Sequence, residues 1–189
     1  MPVANKNIVS ASDYLIMERA STEKHEFYRG EVSAISGAGI QHNIIFSNTF
    51  GILSNQLKGK NCRPFGSDLR IHIPLNSLYT YPDISVVCGK IETTDNTFDT
   101  IINPSIIIEI LSATTRDYDK GGKFALYRDI TSLKEYIIID SEQVAVEKFI
   151  RNMDGSWQLT EFKQLTESFT IETVAISLLL KDLYEGVVN

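Results

Sequence analysis

Ser105-Ile106-Ile107-Ile108-Glu109-Ile110-Leu111 is an almost continuous apolar run with one carboxylate inside it. Half-exposed strands alternate apolar and polar residues, whereas strands covered on both faces read as unbroken apolar stretches. The run therefore predicts a strand buried inside an α/β layer structure. A charge there is costly unless it is paired, protonated or bound to a metal. Glu109 is thus either one half of an ion pair with a helix Lys or Arg, or a metal ligand.

The segments on either side bear on that choice. Downstream, 117–129 predicts a helix on which Asp119, Lys123 and Tyr127 fall at i, i+4 and i+8. They share a face with Leu126 and Ile130, the side expected to turn toward the sheet. A Lys in that stripe either snorkels, with its stem buried and its ammonium in water, or stands beside a reacting group where it stabilises developing charge. Lys120, one turn earlier, is the alternative donor. Upstream, Asp83 to Cys88 predicts a strand after Pro82, with Asp83 at its start. An Asp after Pro is often a simple turn residue. Two strand-borne carboxylates on neighbouring strands, however, supply the hard oxygen ligands with open positions that Mg²⁺ or Mn²⁺ needs.

Other segments complete a layered pattern. Residues 11–20 predict a short helix capped by Ser10 or Ser12, and His25 to Ile35 a hairpin turning at Arg29-Gly30. Residues 40–57 carry the clearest helical period, with Phe46, Phe50, Leu53 and Leu57 in one stripe, His42 beside it and Gly59 as a stop. Leu69-Arg70-Ile71-His72-Ile73 alternates, which predicts a strand with one buried and one polar face. Asp68 falls on the polar side with Arg70 and His72 and is read as solvent-exposed. His42 is read as structural, with phosphate contact as the functional alternative. Ser112, Thr114 and Thr115 are expected to shape the turn after the Glu109 strand and to cap the next helix. Tyr136 to Ile139, ending at Asp140, should pair with Val144 to Ile150. A turn at Asn152, Asp154 and Gly155 then leads to Trp157 to Phe162, and Ile176 to Leu180 with Leu183 closes the core. The order predicts a mixed sheet with helices on both faces.

Composition narrows the function classes. A chain of 189 residues with no linker or repeat is expected to be one domain. The formal net charge of −6 argues against a passive nucleic-acid-binding module, although an enzyme needs only a local basic strip. Arg116, Lys120, Lys123, Arg128 and Lys134 are such a strip, or else an ordinary solvated face. Cys62 and Cys88 lie 26 positions apart without metal-ligand spacing and are read as buried thiols in a reducing compartment. No secretory h-region and no membrane-spanning run are visible, so a cytoplasmic location is expected. There is no GxSxG, P-loop, GxGxxG or HExxH.

An ordered set of short pieces resembles the Uma2 family, which is grouped with PD-(D/E)xK restriction-endonuclease-like folds. The pieces are Glu26-Phe27-Tyr28-Arg29-Gly30-Glu31-Val32, Gln41-His42-Asn43, Phe65-Gly66-Ser67-Asp68 and Tyr81-Pro82-Asp83-Ile84-Ser85-Val86-Val87. They continue with Asn103-Pro104 through Glu109-Ile110-Leu111-Ser112, then Thr115, Asp119, Lys123, Tyr127 and Glu135-Tyr136. The resemblance covers about residues 10–185. It implies a restriction-endonuclease-like α/β core, a mixed sheet flanked by helices, with extra strands at both ends. It carries Asp83 over as the Asp of the PD element and Glu109 as the acidic residue of the second half-motif. Leu111 stands where the (D/E)xK lysine would be, and Lys123 matches the helix lysine of Uma2-like sequences.

Two functions follow as expectations. One is a Mg²⁺- or Mn²⁺-dependent endonuclease acting on DNA, with Asp83 and Glu109 as ligands, Lys123 stabilising charge, and His42, Asp68 and Lys120 as possible accessories. Such an enzyme would work as a homodimer, one site for each strand. The other is an inactive nuclease-fold module that binds nucleic acid or a protein partner. A plain Glu109–Lys123 ion pair inside a scaffold of unrelated function is the third reading.

Overall fold

The Glu109 strand lies at the centre of the molecule, and the rest is arranged to cover it. The computed structural model describes residues 8–112 and 118–187, with residues 118–120 as backbone. Thr114, Thr115 and Arg116 therefore lie outside the described residues, as do the side chains of Asp119 and Lys120.

In chain order the elements are α1 (Ala11–Ala20), β1 (His25–Tyr28), β2 (Glu31–Ala34), α2 (Ile40–Leu57), β3 (Cys62–Gly66), β4 (Arg70–Ile73), β5 (Leu78–Thr80), β6 (Ile84–Cys88), β7 (Thr100–Ile101) and β8 (Ile106–Leu111). A π-helical segment, Tyr118–Lys123, leads into α3 (Phe124–Tyr127). Then come β9 (Glu135–Asp140), β10 (Val146–Arg151), β11 (Trp157–Phe162), β12 (Ser168–Ile171), β13 (Ile176–Leu179) and α4 (Leu180–Leu183).

The chain is mixed α/β, as the periodicity implies, but it builds three sheets and not one. The central sheet runs β11-β10-β9-β8-β6-β3, and β8 and β9 are its parallel pair. A second sheet runs β2-β1-β5-β4-β7, and β12 with β13 forms a small hairpin. Both β8 and β9 are buried along their whole length. Ile106, Ile108 and Ile110 pack with Ile45, Leu53 and Leu57 of α2. Ile107 and Leu111 point the opposite way, into a core shared with Ile71, Ile73 and Leu78 of the second sheet and Tyr127 and Ile130 at α3. One face of the central sheet therefore meets a helix, and the other meets a sheet together with α3.

The local chemistry follows the sequence at several points. The Ser10 hydroxyl caps α1 by accepting from the Asp13 N–H. The β1–β2 hairpin turns at Arg29 (φ 49°) and Gly30 (φ 90°), two left-handed residues in succession, as a type I′ turn requires. The helix expected over 117–129 is shorter and irregular. Gly121-Gly122 weakens α-geometry by its backbone entropy, and the chain takes the wider π turn there.

Two expectations are corrected. The second face of β4 is not exposed: Arg70 is buried, donating to Thr100 Oγ1 (2.9 Å) and the Tyr81 hydroxyl (2.9 Å) and pairing with Asp99 (3.1 Å). His72 is half-buried on the same face, its ring stacked on Tyr79 at 3.8 Å. Burial pushes its pKa below the usual imidazole range. Cys62 and Cys88 are not separate thiols. The β3–β6 register makes them direct cross-strand partners, with Cα atoms 4.0 Å apart, and they form a disulfide. Linear spacing hides this neighbour relation. Denatured, unreduced protein should accordingly show no reactive thiol in a dye titration and two after reduction. Two thiols before reduction would contradict the pairing.

Candidate active site

Alternation along β8 sets the direction of Glu109. With Ile108 and Ile110 facing α2, Glu109 must face the other core. The same parity applies to Asp83, one residue before β6, because Ile84 and Val86 face α2. Register then brings the two together. Ile84 pairs with Ile108, so Asp83 stands across from Glu109 one position on. The contacts are reciprocal: the Asp83 backbone N–H donates to Glu109 Oε2 (3.2 Å), and the Ile110 N–H donates to Asp83 Oδ2 (2.7 Å).

Further groups gather on Asp83 Oδ2 and on Glu109 Oε1. His42 Nε2, from the first turn of α2, lies 3.1 Å from Asp83 Oδ2. Lys123 Nζ lies 3.3 Å from Glu109 Oε1, and the Tyr127 hydroxyl donates to that same oxygen at 2.6 Å. Glu109 is only 3% exposed, so this set of donors does the solvating work that water would do elsewhere. Burial, and then the Glu109 charge, push the Tyr127 phenol well above its ordinary pKa, so it stays protonated and donates.

The sequence candidates divide cleanly. Asp83, Glu109, Lys123 and His42 are brought together. Asp68 is not: its side chain is 97% exposed and pairs with Lys24 at 2.8 Å. Lys120 lies outside the described side chains. Two residues received no role from the sequence. Tyr127 looked like one more sheet-facing stripe residue, although its place one turn after Lys123 was the available signal. Glu26, on the second sheet, accepts from the Thr80 hydroxyl (2.6 Å), and its charge is among those that raise the Tyr127 phenol. The sequence signal for it was weak, since a Glu in a hairpin strand is ordinary.

Beside His42 a cavity of about 490 Å³ opens between the start of α2, at Gly39 to His42, and the ends of β8 and β9, at Ser112 and Ser141. It reaches the site through His42, which contacts Asp83. Among the described residues no group of three or more His, Cys, Asp and Glu is placed to cage a metal ion. An all-protein cage of the zinc or calcium kind is therefore not what these residues offer. Two hard carboxylates do suit Mg²⁺ or Mn²⁺, ions of the kind that hold several waters and share few protein ligands.

A family model described as "Putative restriction endonuclease", Uma2, matches residues 11–180. The chain belongs to the Uma2 family. Two Synechocystis relatives are similar over nearly their full lengths. The uncharacterized protein sll1609 is 38% identical over 161 residues, 85% of this chain and 91% of the relative. The uncharacterized protein slr1290 is 32% identical over 178 residues, 94% and 92% of the two chains. The fold matches the crystal structure of a putative DUF820 nuclease from Anabaena variabilis, with a TM-score of 0.78, 19% identity, and coverage of 95% of this chain and 99% of that one. At that identity the likeness speaks to the fold. The Uma2 fold therefore frames the site, and the chemistry must be argued from the side chains.

The Glu109–Lys123 contact gives a stability prediction. Both side chains are largely buried, at 4% and 14% exposure. Removing one partner of such a pair strands the other. In urea denaturation, a double-mutant cycle of Glu109→Gln and Lys123→Met should return a coupling of about 1–3 kcal/mol. Additive effects would mean that the pair does not form.

Proposed function

We propose that this Uma2 chain is a divalent-metal-dependent endonuclease that hydrolyses phosphodiester bonds of DNA. The observation that carries the reading is the convergence of Asp83 and Glu109 across neighbouring strands, with the Lys123 ammonium on Glu109 Oε1. A carboxylate has two oxygens and about four lone-pair sites, so a group that holds two or three donors still has capacity to ligate a cation. Asp83 and Glu109 would hold Mg²⁺ or Mn²⁺. Such an ion supplies positive charge to a phosphate oxygen and acidity to water.

The protein's own groups then have distinct tasks. His42 and the Ile110 N–H orient Asp83 from one oxygen. Lys123 places a mobile positive charge beside the reacting centre, where it offsets the negative charge that builds on phosphorus oxygens. It takes the place of a lysine two residues after Glu109, where Leu111 is buried in the core. The cavity beside His42 admits the substrate backbone. Cutting both strands calls for two such sites, so a homodimer is the assembly that this activity would use.

A second reading has one observation in its favour. Lys123 reaches Glu109 from a different element than the family superfamily pattern places its lysine, and the same contact would serve a scaffold without catalysis. The inactive-module reading predicts nucleic-acid binding that ignores both carboxylates.

Plasmid incubation separates them. Supercoiled DNA with Mg²⁺ or Mn²⁺ should be nicked and linearised by the wild type. Asp83→Ala and Glu109→Ala should each slow this by about a hundredfold or more, the effect of losing several kcal/mol of charge stabilisation. Binding without cleavage, unchanged by either substitution, would favour the module.

A further inference from the structure

Glu109 Oε1 receives two donors that are built differently. Lys123 approaches at 3.3 Å on a long, flexible stem from the π-helical turn. Tyr127 approaches at 2.6 Å on a rigid ring that is fully buried. The ring meets Tyr136 edge-on with centroids 5.5 Å apart, and Tyr136 is itself stacked on Phe124 at 5.1 Å. Phe124 in turn packs against Phe149 at 4.4 Å and Trp157 at 5.3 Å. The backbone around Tyr127 is tied down from two further elements. Asn76 Nδ2 donates to the Leu126 carbonyl (3.0 Å) and to Asp129 (2.8 Å). The Arg151 guanidinium donates to the carbonyls of Arg128 (3.1 Å) and Ile130 (2.9 Å).

We propose that Tyr127 is the positioning residue of the site: its phenol fixes the Glu109 carboxylate in the orientation that a divalent cation needs, whereas Lys123 supplies charge. This rests on the metal-dependent reading above. The physical argument is one of precision and sign. Ligating carboxylates are themselves held by outer hydrogen bonds, and loss of such a bond typically weakens metal affinity by about 10- to 100-fold. A neutral hydroxyl orients the carboxylate without repelling the cation. An ammonium on the same oxygen repels it, since like charges a few ångströms apart oppose each other. Orientation and charge stabilisation are thus divided between two side chains one turn apart.

The test is calorimetric titration of the full chain with MnCl₂, alongside thermal melts. Tyr127→Phe keeps the ring in its aromatic cluster and removes only the hydroxyl. Its Mn²⁺ affinity should fall about tenfold. Lys123→Met should bind Mn²⁺ at least as tightly as the wild type. A merely structural hydroxyl would lower the melting temperature and leave Mn²⁺ affinity unchanged, and that result overturns the proposal. Loss of affinity in Lys123→Met equal to that in Tyr127→Phe overturns it as well, by giving Lys123 the same task. Should Tyr127→Phe not fold, Arg151→Lys loosens the clamp behind Tyr127 and should show a smaller loss in the same direction; unchanged affinity there counts against the proposal. Asp83→Asn separates this idea from its foundation. If the wild type binds no Mn²⁺, the metal reading fails and the proposal with it. If the wild type binds, Asp83→Asn does not, and Tyr127→Phe matches the wild type, only the positioning role is lost.

Discussion

An anion in the middle of a doubly covered strand is the constraint on which the rest of this molecule depends. Glu109 has apolar neighbours before and after it on β8 and lies almost wholly out of water. Left alone, a carboxylate there would take up a proton or hold the strand open. The fold instead surrounds it with an ammonium, a phenol and a backbone N–H, drawn from the π turn, α3 and the start of β6. Such an arrangement is a poor route to stability, since well-packed hydrophobic residues often serve as well as a buried ion pair. Its presence in a fully buried central strand, facing a second carboxylate, is what points to chemistry.

Neighbouring features reinforce that reading. The second acidic group arrives through antiparallel register, not through sequence proximity, so the two carboxylates share a face without sharing a strand. The second sheet closes over the same core, and α1 is locked to it by Tyr14 stacking on Phe27 at 5.0 Å and by the buried Arg70 set. These contacts hold α1 on the second sheet.

Much of this was legible in the residues. The unbroken Ile106–Leu111 run gave the central strand, the Phe46 to Leu57 stripe gave the long helix, and Arg29-Gly30 gave the hairpin turn. Glu109 and Lys123 stood out because each placed charge where the periodicity expected burial, and Asp83 because it began a neighbouring strand with a second carboxylate. The rest was hidden for identifiable reasons. Strand β3 contains Pro64 and Gly66, which weaken any strand pattern, and it is tolerated because it lies at the sheet edge. Strand β7 has two residues and no pattern to read. Arg70 obeys an alternation that normally marks a wet face, but α1 and Asp99 cover it. The Cys62–Cys88 bond and the Tyr127 hydroxyl depend on neighbours that only the folded chain supplies.

The proposed activity requires Asp83 and Glu109 to share a cation. A crystal soaked in MnCl₂ and measured at the manganese absorption edge tests it most directly. The expected result is an anomalous peak bonded to oxygens of both Asp83 and Glu109, with Tyr127 still donating to Glu109. Clean density without a peak, and Lys123 seated on Glu109 as before, would contradict it.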